Sequence, residues 1–166
     1  MEFIMAKDVD LYYKKALEFL EKKEYDKSLK VLDMILNIEK GYMPAWNCKG
    51  VIYLEKKEYI DALKSFEEVI ELNPGDNMAW YNKGYVLLLM EEYEQSGKVF
   101  DFFIARYENK VDDFYKYAIY LRAKCYYGLK DYENALIAID ESIDLDENFK
   151  DAVELKNLIK NETNKK

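Results

Sequence analysis

The reactive inventory of this 166-residue chain is thirty-three carboxylates, sixteen tyrosines and two cysteines, with no histidine at all. The missing histidine removes the commonest general base and the commonest metal ligand. So many carboxylates guarantee some close pairs, and a pair alone assigns no acid–base role. The densest group is Asp140, Glu141, Asp144, Asp146 and Glu147. It lacks the loop glycine and ligand spacing of a calcium hand, and reads as a solvated face. Gly97-Lys98 lacks the upstream glycine and the following Ser or Thr of a phosphate loop, and falls inside a helical stretch. Cys48 and Cys125 cannot make a zinc site by themselves and suggest no disulfide framework, so they are expected as buried structural thiols. Tyrosines with no base or metal beside them indicate packing and contact surface. No catalytic, cofactor or metal residue is assigned, and an enzyme is not expected.

The elements that hold these residues must come from a chain that is half apolar and 35% charged, with a net charge of 25 − 33 = −8. That is enough apolar material for one domain with a real core. The 16% aromatic content argues against disorder. Nucleic-acid binding draws on phosphate neutralisation, so an acidic chain is a poor candidate for it. The longest apolar run, Tyr85–Met90, is far short of the ~20 residues that span a bilayer, and no membrane partner is expected. Glu2, Asp8, Asp10 and Lys14 interrupt any signal-peptide core within residues 1–20. Cytoplasmic residence in a reducing compartment follows as the expectation.

An internal repeat organises the sequence. Residues 21–25 read EKKEY, and residues 55–59 read the same, 34 positions on. Trp46 and Trp80 are 34 apart, as are Gly50 and Gly84, and Phe66 and Phe100. Tyr25, Tyr59 and Tyr93 step by 34 twice, and Tyr132 follows at 39. Ala16 and Ala123 fall in the glycine column, and Leu32 and Ile139 in the phenylalanine column. Shared offsets in several columns mark a repeat architecture.

Within a period the pattern is helical. Trp46, Gly50, Tyr53 and Leu54 recur at i, i+4, i+7 and i+8, one face of a helix. Lys56–Glu58 is a short polar break. Ala62, Leu63, Phe66, Val69 and Ile70 then form a second face, which Asn73-Pro74-Gly75-Asp76 ends. Each period is therefore helix, tight turn, helix. Helices of about 14 residues are marginal alone in water and must stack on neighbours.

These columns resemble the tetratricopeptide repeat family, whose unit is a 34-residue helix–turn–helix. In the best copy, 43–76, the resemblance rests on Trp46, Gly50, Tyr53, Tyr59, Ala62, Phe66 and Pro74. By register the other copies are 9–42, 77–110 and 116–149. Copies one, three and four lack the closing proline, having Lys40, Glu108 and Glu147, and copies one and three carry Ser28 and Ser96 where the family has alanine. Five extra residues around Glu108–Asp113 predict a lengthened helix or a loop, with a locally altered stacking angle. Residues 149–160 read as a capping helix, with Phe149, Ala152, Val153, Leu155, Leu158 and Ile159 on one side, and 161–166 as a frayed tail. The resemblance implies an all-α, right-handed α-solenoid of stacked helix-turn-helix repeats, forming a single domain over 1–166.

The resemblance also implies where partners bind, because in this family the first helices line a concave groove that takes extended or helical peptides. The groove positions are the second, fifth, ninth and twelfth of each copy. They fall on Asp10, Tyr13, Leu17 and Leu20 in copy one, and on Pro44, Asn47, Val51 and Leu54 in copy two. In copy three they are Met78, Tyr81, Tyr85 and Leu88, and in copy four Tyr117, Tyr120, Lys124 and Tyr127. Family members that grip chaperone carboxyl termini use a Lys, Asn and Arg clamp. Here only Asn82 matches its place; it joins the groove candidates, and the dicarboxylate clamp is excluded. The implied function is a non-enzymatic protein–protein interaction module. Its ligand is expected to be an apolar or aromatic peptide, with basic flanks drawn by the −8 charge. The alternative is a structural protein that self-associates through apolar faces as a homo-oligomer.

Overall fold

The structure, a computed structural model, describes residues 6–164. Residues 1–5, where Glu2 interrupts the leader pattern, and 165–166 of the expected tail lie outside the described residues. Among the described residues there are nine α-helices and no strand. They are α1 (Ala6–Glu21), α2 (Tyr25–Ile38), α3 (Met43–Glu55), α4 (Tyr59–Leu72), α5 (Asn77–Leu89), α6 (Tyr93–Arg106), α7 (Asp113–Gly128), α8 (Tyr132–Leu145) and α9 (Lys150–Thr163). The chain divides into two compact units, Met1–Ala79 and Trp80–Lys166.

In the first unit α1 pairs with α2 and α3 with α4, and α3 also packs on α2. The pairing is close because the small-residue column allows it. A Cβ added at Gly50 would come within 2.6 Å of the Phe66 ring, which is itself fully buried. Ala16 fills the same column in α1 with no exposed surface. Ser28, where the family has alanine, is also fully buried, and its hydroxyl donates to the Ala16 carbonyl at 2.8 Å. A buried hydroxyl is tolerated when it finds such an acceptor. Val9, Leu32, Ile35, Ala45 and Ile52 complete the core of this unit.

The turn inside each copy uses backbone geometry that its residue types disfavour. Lys57 adopts φ 61°, and the Glu58 amide donates to the Tyr53 carbonyl at 2.8 Å. This is the six-to-one bond of a Schellman cap, with lysine in the left-handed place that glycine usually takes. Lys23 repeats it at φ 57°, with the Glu24 amide bonded to the Phe19 carbonyl at 2.8 Å. Glu91 and Lys130 do the same in the second unit, both at φ 61°.

In the second unit α7 packs on α6 and α8, and α9 packs on α8 and α7. A Cβ at Gly84 would lie 3.0 Å from the Phe100 ring. Ser96 donates to the Gly84 carbonyl at 2.8 Å, and the Cys125 thiol lies 3.2 Å from the Ser96 hydroxyl. The five extra residues become both features expected of them. They form a loop after α6, and α7 spans 16 residues where α3 and α5 span 13. Asp112 organises the loop: it accepts from the Tyr115 amide at 2.9 Å as the N-cap of α7, and from the Tyr107 hydroxyl at 2.6 Å. The last helix continues through Thr163, past the expected end at residue 160. A bond from the Tyr127 hydroxyl to Glu162 at 2.8 Å ties down that extra turn.

Candidate interaction face

The first helices α3, α7 and α9 each turn one row of side chains toward the preceding second helix. The third position of that row is alanine at 45, 118 and 152, each without exposed surface. The seventh is basic, and three such bases bond carboxylates of the preceding second helix. Lys49 meets Asp33 at 2.6 Å, Arg122 meets Asp101 at 3.4 Å, and Lys156 meets Asp140 at 2.5 Å. This ladder fixes which way α3, α7 and α9 are rotated. The second, fifth, ninth and twelfth positions are then left on another face.

In the first unit, the expected face residues divide into packed and open ones. The Tyr13 ring meets Tyr42 edge-on at 5.5 Å, and the Tyr42 hydroxyl donates to Asp10 at 3.2 Å. Tyr13, Leu17, Asn47 and Leu54 are half-buried, whereas Val51 is 40% exposed. In the second unit Tyr81 is a packing residue. Its ring meets Phe100, Phe103 and Phe114 edge-on at 6.0, 5.6 and 5.7 Å, and burial pushes its hydroxyl up to about 12. Asn82 and Tyr85 are half-buried. Leu88, placed on the face by register, is only 7% exposed and packs in the core with Phe100 and Phe103. It lies where α5 closes on α6, so it is removed from the open face.

Tyr117 is 38% exposed, and its ring meets Phe149 at 4.7 Å. Tyr120 is half-buried, 5.1 Å from Phe149. The exposed Lys124 holds its ammonium 5.8 Å from the Tyr120 ring centre. Tyr127 is tied to Glu162 of α9. Sequence reasoning missed the contribution of α9 to this face. One more stride past 116–149 begins a fifth copy at Lys150, and puts Asp151, Glu154, Leu158 and Asn161 in the second, fifth, ninth and twelfth places. All four are exposed. The signal was available: Ala152 and Lys156 occupy the third and seventh places of a first helix.

Burial pushes the thiols of Cys48 and Cys125 up to about 11, so neither is a ready nucleophile. No group of three or more Cys, Asp or Glu side chains is gathered for a metal among the described residues. Also among these residues, no helix is long and apolar enough to cross a membrane. An open cavity beside the loop is lined by Lys110, Tyr115, Ile137, Asp140, Glu141 and Asp144. Several of its charges are already engaged: Glu141 bonds Arg122 at 2.7 Å, Asp140 bonds Lys156, and Lys110 lies 4.5 Å over the Tyr115 ring.

The tetratricopeptide repeat family matches residues 44–76 and again 117–149, within one residue of the second and fourth copies read from the sequence. The structure is similar to MamA residues 41-end from Desulfovibrio magneticus RS-1, at 23% identity and TM-score 0.88, over 96% of this chain and 88% of that one. It is similar to YrrB, described as a TPR protein with an unusual peptide-binding site, at 18% identity and TM-score 0.77, over 92% of this chain and 76% of that one. It is also similar to PilW, a type IV pilus biogenesis factor, at 17% identity and TM-score 0.73, over 89% and 66%. No curated protein matches the chain. At these identities the structural likeness establishes the fold, an α-solenoid of helix-turn-helix repeats.

Proposed function

Because this chain is a tetratricopeptide-repeat protein, we propose that it is a non-enzymatic interaction module that takes a peptide or partner protein on its first-helix face. The observation that carries this is the exposure of apolar and aromatic side chains at face positions of both units: Val51 in the first and Tyr117 in the second. Large apolar or tyrosine surface left open in register is contact area rather than core. YrrB, which shares the fold, is described as having a peptide-binding site. The −8 net charge favours ligands with basic flanks around an apolar or aromatic centre.

The test is a pull-down from the native cell with the full chain and with Val51→Asp/Tyr117→Ser, identified by mass spectrometry. Proteins held by the wild type are expected to be lost with the double variant while helical circular dichroism is unchanged. An identical set of captured proteins would move the site off this face. Self-association is the second reading, favoured by Ile60 and Ile137, which stand about three-fifths exposed on second helices. Light scattering behind a sizing column decides it, since a monomer at every concentration removes that reading.

A further inference from the structure

The part of the face built by α7 and α9 carries more chemistry than open apolar surface. Phe149, just before α9, lies against both Tyr117 and Tyr120 and sets α9 beside α7. The register then puts Asp151 and Glu154, both exposed, in the second and fifth places, on the Tyr120 side of α9. Their nearness is felt at Tyr120, whose hydroxyl is pushed up by burial first and then by the charges of Asp151 and Glu154. Other carboxylates of this unit are engaged: Asp140, Glu141 and Asp146 hold Lys156, Arg122 and Lys116. Neither Asp151 nor Glu154 has an ion-pair partner among the described residues. Lys124 is directed over the Tyr120 ring, and Lys116 lies over the Tyr117 ring while paired with Asp113 and Asp146.

Taking the first-helix face as the binding face, we infer that α7 and α9 form a composite subsite for a Lys or Arg side chain lying next to an apolar residue of the bound peptide. The Tyr117 and Tyr120 rings stand nearly perpendicular, 6.5 Å apart, so the exposed Tyr117 gives the apolar neighbour an aromatic contact while the carboxylates take the cation. Exposed Leu158 supplies apolar contact on the same side of the helix. The occupant is a peptide of this chemistry and not a metal ion, because Asp151 and Glu154 are exposed carboxylates without the gathered oxygen set a hard cation needs. The C-terminal helix thus does more than close the stack. It selects by charge.

A random-peptide phage library panned in parallel on the full wild-type chain and on Asp151→Asn/Glu154→Gln tests this. The wild type is expected to enrich peptides with Lys or Arg adjacent to an aromatic or aliphatic residue. A synthetic copy of an enriched peptide should bind the double variant at least about tenfold more weakly by fluorescence anisotropy, and raised salt should weaken wild-type binding. Enriched peptides without a basic residue, or equal affinity for both chains, would overturn the subsite and leave the wider face standing. No enrichment on the wild type would take down both. The double variant is expected to keep the wild-type helical circular dichroism, with only a small drop in melting temperature from the lost first-turn charge of Asp151, so a large change in binding is not a change in fold.

Discussion

Tyr120 and Phe149 lie 5.1 Å apart, ring to ring, and Tyr13 and Tyr42 lie 5.5 Å apart in the same relation. Both pairs are 29 residues apart in sequence. In each, a fifth-position tyrosine meets the residue just before the following first helix. These tyrosines therefore seat one helical pair on the next, and only part of each ring is left for a partner. Edge-on and tilted aromatic pairs contribute about 0.5–1.5 kcal/mol beyond the area they bury.

The joint at Phe149 is the anchor of α9. Phe149 is nearly buried and touches both Tyr117 and Tyr120. Phe149→Ala is expected to destabilise the second unit by about 3–5 kcal/mol and to release α9 first. Hydrogen exchange should show amides of Lys150–Thr163 losing protection ahead of those in α7. Uniform loss across the unit would mean that α9 is held by Leu155 and Ile159 alone.

Two glycines should respond oppositely to alanine. Gly50→Ala would drive a methyl into the buried Phe66 ring, and overpacking of this kind costs about 1–3 kcal/mol, outweighing the ~1 kcal/mol gain in helix propensity. At Gly97 the added Cβ meets only the Cys125 Cβ at 3.7 Å, an ordinary contact. Gly97→Ala is expected to stabilise by about 0.5–1 kcal/mol. Urea melts of the two variants against wild type give the signs directly.

The left-handed turn residues carry strain that glycine would relieve. Holding an L-residue in this conformation costs about 1–2 kcal/mol, while glycine adds unfolded-state entropy that recovers roughly half of the benefit. Lys57→Gly is therefore expected to raise stability by about 0.5–1 kcal/mol, read as a higher denaturation midpoint at unchanged slope. A lower midpoint would show that the Lys57 side chain makes a contact that offsets the strain.

Stability should be flat near neutrality and fall in alkali. Cys48 and Cys125 are raised to about 11 from 9.0, and Tyr81 to about 12 from 10.0, each mainly by burial. A raised folded-state value means the neutral group stabilises the fold fully below the unfolded value, and that contribution is lost as pH climbs toward the folded one. The expected decline begins near pH 9 with the thiols and steepens beyond pH 10 with Tyr81. With no histidine in the chain, thermal melts between pH 6 and 8 should superimpose. Substituting both cysteines with alanine should remove the first stage of the alkaline decline.

The helical pairs were legible because spacing encodes them: the Gly50 and Phe66 columns state a close approach before any coordinates do, and Phe66 lies against Gly50 as that spacing requires. The face was only partly legible. Counting positions put Leu88 outward, but counting cannot tell that α5 closes over that turn against Phe100 and Phe103. It equally could not tell that Tyr81 would be enclosed by three phenylalanines, one of them, Phe114, on the lengthened start of α7. The role of α9 was missed for a different reason. A terminal helix was expected to be a lid, although Ala152 and Lys156 already carried the signature of another first helix.

Four hairpins that reverse direction on Lys23, Lys57, Glu91 and Lys130 owe nothing at that point to intrinsic preference. A synthetic 34-mer cut from the chain would therefore have no local reason to bend there, and would stay a fluctuating coil in water. Order must spread from pair to pair, each lending its neighbour the contacts that make an unfavourable bend worthwhile. Melting of the intact chain should then be cooperative over several helices at once, with the sharpness of the transition set by how many pairs remain in contact.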